Sequence, residues 1–317
     1  MPSTWDFGGL SFGEFGKRTY EQATRDDILG RSAQLAYYFL LSIFPLLLFI
    51  VTVIGLMAGP EGTFRQELLK HLGTAMPEEA YSLVEGVLTQ VSEGARGGAA
   101  VISMLAALWT ASVGFVAVMS GLNAAYGVEE TRPWWKARLV AIGMTAAVSA
   151  LVVLALGIFL FGGWIGRAGA DRLGLGEVFS TLWNVLHWPL VLFFVLLALA
   201  LVYRFGPDLE GAKWAWITPG AAAALAVWLL SSAGLRIYLA NFGNYGAVYG
   251  SLGAVIILLL WFYLSGLAIL IGAEVNAVIE DAAARSGKPD VHRRGERRPQ
   301  LTSETSAPEL KEEHQRR

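Results

Sequence analysis

The side chains able to do chemistry in this chain are few, and most lie in or beside long apolar segments. Arg31 and Gln34 open the first apolar run, Asn123 closes the second, and Glu274 and Asn276 fall near the end of the last. Arg236 and Asn241 stand near the turn before that last run, and Pro45 and Pro189 interrupt the first and fourth runs. A carboxylate inside a membrane is costly unless it meets a cation or a water-filled cavity. Glu274 is therefore read as a titrating or ion-pairing group, with Arg31 as its expected partner. Each proline removes a backbone donor and frees a carbonyl one turn back. Phe44 to Phe49 and Trp188 to Phe193 match in residue type and are three spans apart, so they run in opposite directions. That arrangement predicts an inverted repeat whose two breaks, at Pro45 and Pro189, line one central cavity. The bland alternatives are packing kinks at the prolines, an interfacial carboxylate at Glu274 and a helix-end charge at Arg236.

Other chemistry is missing from the sequence. The histidines are His71, His187, His292 and His314, and none has the spacing of a metal-binding pair. There is no nucleophile elbow and no phosphate-cradling Gly-rich loop before Lys and Ser or Thr. Cysteine is absent, which removes disulfides, thiolate metal sites and a Cys nucleophile. No enzyme activity, no cofactor and no metal are expected. Asp26 and Asp27 precede the first apolar run and read as helix-start acids.

The elements that must hold these residues follow from composition. Of 317 residues, 55% are hydrophobic and 16% charged, against about 45–50% and about 25% in soluble domains. Six runs reach the roughly 19 apolar residues that span a bilayer core: 33–57, 99–122, 137–161, 181–203, 214–235 and 248–279. They do not alternate, so they are read as helices rather than membrane strands. The expected fold is all-α, a polytopic membrane protein with six transmembrane helices. Residues 1–32 form an amphipathic amino-terminal segment, 33–280 the transmembrane domain and 281–317 a disordered charged tail. The first run has no small-residue cleavage site and reads as an uncleaved anchor.

Between the first two spans, Phe64, Leu68, Leu69 and Leu72, and then Ala80, Leu83, Val84, Val87, Leu88 and Val91, repeat at helical spacing around Pro77-Glu78-Glu79. They predict a short amphipathic helical hairpin on the outer face. Gly246, Gly250 and Ala254 recur every four residues and suit close helix packing. Lys and Arg number 18 on the side of both termini and six on the other, so the termini are expected in the cytoplasm. Net charge is −2, and no nucleic-acid partner is expected. The basic tail should instead stay near anionic lipid.

Three ordered motifs resemble the YihY/BrkB family of bacterial inner-membrane proteins, historically mislabelled ribonuclease BN. The first runs from Ser32 through Tyr38 and Leu41 to Pro45, and the second from Gly121 to Gly127. The third runs from Tyr249 through Trp261 to Glu274 and Asn276. The resemblance covers about residues 15 to 282 and implies six spans with cytoplasmic termini in a cell inner membrane. It also implies links to envelope lipid export, serum resistance and cation/proton exchange. The function expected is ATP-independent transport of a lipid or lipid precursor. The alternatives are a cation/proton exchanger using Glu274 and a non-transporting scaffold for envelope assembly. Membrane lipids are the expected partners, and a homo-oligomer is left open.

Overall fold

The computed structural model describes residues 9–58, 86, 99–173, 176–210, 218–242, 251–286 and 291–297. Among them are seven long helices and no strand: α1 (Phe12–Arg25), α2 (Ile28–Ala58), α3 (Ala99–Tyr126), α4 (Trp134–Leu173), α5 (Gly176–Phe205), α6 (Pro219–Phe242) and α7 (Ser251–Arg285). The last six are long and apolar enough to cross a membrane. The 23-residue window Ile28–Ile50 rises about 34 Å at 1.5 Å per residue, enough for a core of about 30 Å. The expected outer hairpin, and Gly246 and Gly250 of the small-residue series, lie outside the described residues; Ala254 is exposed.

Local chemistry sets the helix ends. Ser11 caps α1 by accepting the Glu14 N–H at 3.3 Å, and Arg18 pairs with Glu14 one turn on at 2.6 Å. Phe12 and Tyr20 on α1 are left exposed, as expected of a helix lying at an interface. The chain turns into α2 at Asp27, whose φ of +51° is a left-handed value that Asp tolerates. Its Oδ1 then accepts the Gly30 N–H at 3.2 Å. Thr218 caps α6 through its hydroxyl, 3.0 Å from the Ala221 nitrogen. Gly127, at φ +66°, ends α3, and the Gly127 and Val128 N–H groups return to the Ala124 and Asn123 carbonyls, both at 2.9 Å.

Consecutive helices pack on one another from α2 to α5, while α7 lies against α6, α2, α3 and α1. The α5–α6 contact is slight. Connections α1–α2, α3–α4 and α5–α6 share one end of the bundle, here called the base, with the residues that follow α7. The tightly packed core sits toward this end, formed by Ile28, Leu35, Leu122, Met144, Val202, Tyr203 and Leu270 with small residues such as Ala221 and Ala273. Farther from the base many apolar side chains face outward. Leu182, Val185 and Leu186 of α5, Leu229, Leu230 and Ile237 of α6, and Leu252, Val255 and Ile256 of α7 are all exposed.

Two expectations change here. The last span was placed at 248–279 and residues from 281 onward in a disordered tail, yet α7 continues to Arg285 and residues 291–297 fold back across the base. Composition misled because the charges of this stretch are spent on partners. His292 is buried, Arg285 Nε donates to Asp281 at 2.9 Å, and Arg297 Nη2 donates to Asp208 at 2.9 Å. The first helix crossing also begins earlier than residue 33, at Ile28, because Asp27 supplies the cap.

Candidate functional site

Glu274 stands on α7 with a relative exposure of 0%. Small residues give it that depth, for Gly272 and Ala273 precede it and Ala277 lies three positions on. A Cβ on Gly272 would run into the Tyr203 hydroxyl and the Gly220 carbonyl, so α6 and α7 touch backbone to backbone beside the carboxylate. Neither Glu274 oxygen accepts from an N–H or hydroxyl donor, but its carboxyl shares a hydrogen bond with the Asp26 carboxyl. Its ion-pair contact is with Arg294 Nη1 at 3.8 Å, and the Asp26 carboxyl lies next to it. Arg294 Nη2 donates to Asp26 Oδ2.

Arg294 is placed by its own segment. Its backbone N–H donates to Asp281 Oδ1 at 3.2 Å, and the Gly295 N–H donates to the Tyr126 carbonyl at 3.1 Å. The side chain then passes over Gly127, where an added Cβ would lie 3.1 Å from Arg294 Cγ. Arg31, expected as the partner of Glu274, instead donates from Nε to the Asp26 carbonyl at 2.8 Å. The correction is one of direction. From the first turn of α2, Arg31 reaches back five residues to the end of α1, while a cation nearly 270 positions away fills the pocket.

A second polar layer surrounds this one. Asn123 Oδ1 accepts the Asp208 N–H at 2.7 Å, and its Nδ2 donates to Glu130 at 3.0 Å. Asp208 accepts from the Thr131 N–H and hydroxyl, both at 2.9 Å, as well as from Arg297. Burial raises the Asp208 pKa, but the Thr131 and Arg297 bonds and the nearby Arg132 outweigh it and hold the carboxyl below its ordinary range. Glu130 is also lowered; its burial is outweighed by Arg132 and Asn123. Asn276 Oδ1 accepts the Gly220 N–H at 2.9 Å, and its Nδ2 donates to Thr218 at 3.1 Å. Asn276 thus fixes the start of α6 against α7. Over the layer lies His292, with Nε2 at 2.8 Å from the Glu210 carbonyl and Nδ1 at 3.4 Å from Glu280.

Of the residues singled out in sequence, Asn123, Glu274 and Asn276 gather at the base. Gln34, Arg236 and Asn241 do not: all three are exposed, and Asn241 Nδ2 returns to its own helix at the Ile237 carbonyl, 2.8 Å away. Pro45 and Pro189 both sit within continuous helices. Pro45 is half-buried and Pro189 exposed, and α2 packs on α3 and α7 whereas α5 packs on α4 and α6. The packing of the described helices thus does not bring the two prolines together, and it lends the inverted-repeat reading no support. Sequence reasoning missed Asp26, Asp208 and the Arg294 segment. Only the density of charge between Asp281 and Arg298 hinted at the last.

Comparison with known proteins agrees with this architecture. The family model described as virulence factor BrkB matches residues 19–295, a range that takes in both Asp26 and Arg294. A "putative ribonuclease-like protein YfkH" of Bacillus subtilis is 37% identical over 268 residues, which is 84% of this chain and 94% of that one. A "UPF0761 membrane protein" of Aeromonas salmonicida is 25% identical, covering 86% of this chain and 94% of the relative. One of Stenotrophomonas maltophilia is 26% identical over 84% of this chain but only 60% of its own length. No solved structure matches. With the match running from within α1 through α7 and on to the segment that closes the base, the chain belongs to the BrkB family of membrane proteins.

Proposed function

We propose that this protein is an ATP-independent transporter of a lipid or lipid precursor, seated in a bacterial inner membrane with both termini in the cytoplasm. One observation carries the reading: a buried polar cluster at Glu274 lies at the base of a bundle whose helices expose Leu, Val and Ile side chains farther out. Such a gradient suits an amphiphile, with a place for a polar headgroup at one end and for acyl chains between helices above it. The slight α5–α6 contact favours a lateral way in. The distribution of Lys and Arg supports the orientation, since the base collects the basic connections. Membrane lipids are the partners this reading requires.

The test is lipid scrambling in vesicles. Purified protein should speed the loss of inner-leaflet fluorescent lipid to an external quencher, without nucleotide, relative to protein-free vesicles. Equal rates in the two preparations refute the reading. A second reading, cation/proton exchange with Glu274 as the titrating group, is favoured by the burial of that carboxyl against a second one, Asp26. It predicts proton flux on a cation jump, lost in Glu274→Gln, and no lipid movement.

A further inference from the structure

We propose that the first turns of α4, joined by Trp109 of α3, are a docking surface for an anionic phospholipid, with Arg138 and Lys136 holding its phosphate-bearing headgroup. The inference goes beyond the transport reading and holds whether or not the bound lipid is moved. It starts from two cations that meet no opposite charge. Arg138 Nη2 donates to the Trp109 carbonyl at 2.6 Å, and its guanidinium carbon stands 4.5 Å from the centroid of that indole. Arg138 Nε is buried without a hydrogen bond. Lys136 Nζ lies 5.4 Å from the centroid of the Trp135 ring. A carbonyl and an indole face attract a cation, but neither carries a net charge to balance it.

The bonded acids of the adjoining loops are spent elsewhere. Glu130 pairs with Arg132 and accepts from Asn123, while Asp208 is bonded to Thr131 and Arg297. Among the described residues no carboxylate pairs with Arg138 or Lys136. A cation at the edge of a membrane span is costly without a partner, so the balancing charge must come from outside the chain.

The surroundings say which anion that is. The apolar span of α4 begins at Trp134, and Arg138 lies four residues, about 6 Å, along it. Trp134, Trp135 and Leu139 are exposed, so this part of α4 offers its aromatic and apolar surface to lipid. Trp135 precedes Arg138 by three positions and shares its side of the helix. Exposed indoles mark the headgroup level of a bilayer, and long cationic side chains extend toward that level. A guanidinium suits phosphate oxygens, and two cations select a headgroup of net negative charge over a zwitterionic one. A soluble anion has no acyl chain to lie along Leu139.

The experiment reads the lipid locally. The chain has no cysteine, so a bimane on Leu139→Cys in the full chain, reconstituted in vesicles, reports quenching by brominated phosphatidylglycerol or brominated phosphatidylcholine. Each cation near an anionic lipid is worth about fivefold, or about 1 kcal/mol. Phosphatidylglycerol should therefore be preferred by about twenty-five-fold, and Lys136→Gln and Arg138→Gln should each lower that preference about fivefold. A bimane on Leu230→Cys, exposed on α6, should show no such preference. Equal quenching by the two lipids at position 139, a preference unchanged in Lys136→Gln, or the same preference at position 230 would each overturn the proposal. So would inorganic phosphate that relieves the quenching as fully as unbrominated phosphatidylglycerol, since the site would then hold a soluble anion. Lys136 is exposed, so its variant decides the matter if Arg138→Gln, which also unties α4 from α3, fails to fold.

Discussion

Gly272→Ala tests whether backbone contact between α6 and α7 is what buries Glu274. Two effects oppose. Alanine gains about 1 kcal/mol over glycine in helix propensity, but its Cβ would stand 2.5 Å from the Gly220 carbonyl oxygen and 2.8 Å from Ala224 Cβ. Real contacts of this kind rarely fall under 3.0 Å, so the two helices must part by at least about half an ångström. The nearest obstacle is the Tyr203 hydroxyl, held by its bond to the Ile269 carbonyl at 2.8 Å, and beside it stands the Gly220 backbone, which cannot rotate aside. Parting them stretches the Asn276–Gly220 bond, now 2.9 Å, toward the limit of hydrogen bonding and strands a buried amide, at about 1–3 kcal/mol. Overpacking adds about 1–3 kcal/mol. The clash wins, with a net loss of about 1–5 kcal/mol, or a fall in Tm of roughly 2–20 °C at about 2–4 °C per kcal/mol. Gly143→Ala is the control, because nothing lies within 4 Å of a Cβ there. Thermal unfolding in detergent, followed by tryptophan fluorescence, gives both values. A Gly272→Ala chain as stable as wild type would refute the close-contact account and, with it, the reason Glu274 is shut in.

The segment over the base should respond to pH through His292. Burial disfavours its charged form, and Arg204 acts the same way, but the Glu280 carboxylate and Glu210 carbonyl prevail and raise its pKa. A raised value means the imidazolium's contribution is whole below the ordinary histidine pKa of about 6.5 and is lost as pH climbs through the folded value. Spin labels at Glu129→Cys and Arg293→Cys, both exposed in a chain without cysteine, should report one short distance in acid and a longer population in alkali. His292→Ala should remove that dependence, and an unchanged distance across pH in the parent would reject it. Orientation is checked with the single Arg293→Cys variant: an impermeant thiol reagent should fail to label it in intact cells and label it after lysis. Labelling in intact cells reverses the proposed topology.

What could be read from sequence was whatever depends on local length and polarity. Six helices follow from run length, and Asn123, Glu274 and Asn276 announced themselves because polar groups in apolar surroundings are costly. The partners of those groups were another matter. Asp26 looked like a helix-start acid because Asp27 beside it is one, and only the turn at Asp27 reveals that Asp26 points elsewhere. Arg294 lies nearly 270 residues from Asp26, and no periodicity connects them. Pro45 and Pro189 carried a strong local signal about helix continuity, yet α2 and α5 absorb both without interruption. Whether two kinks share a cavity is decided by which helices pack together, a property of the assembled bundle.

The position of Arg294 in the chain also bears on how the protein is made. Synthesis runs from the amino terminus, so Asp26 enters the membrane long before Arg294 is made. Glu274 and Arg294 lie only 20 positions apart and leave the ribosome almost together, as the last part of the chain. The base therefore closes late, when α7 and residues 291–297 dock on helices already inserted, and the last step of synthesis is also the step that joins the two ends of the chain.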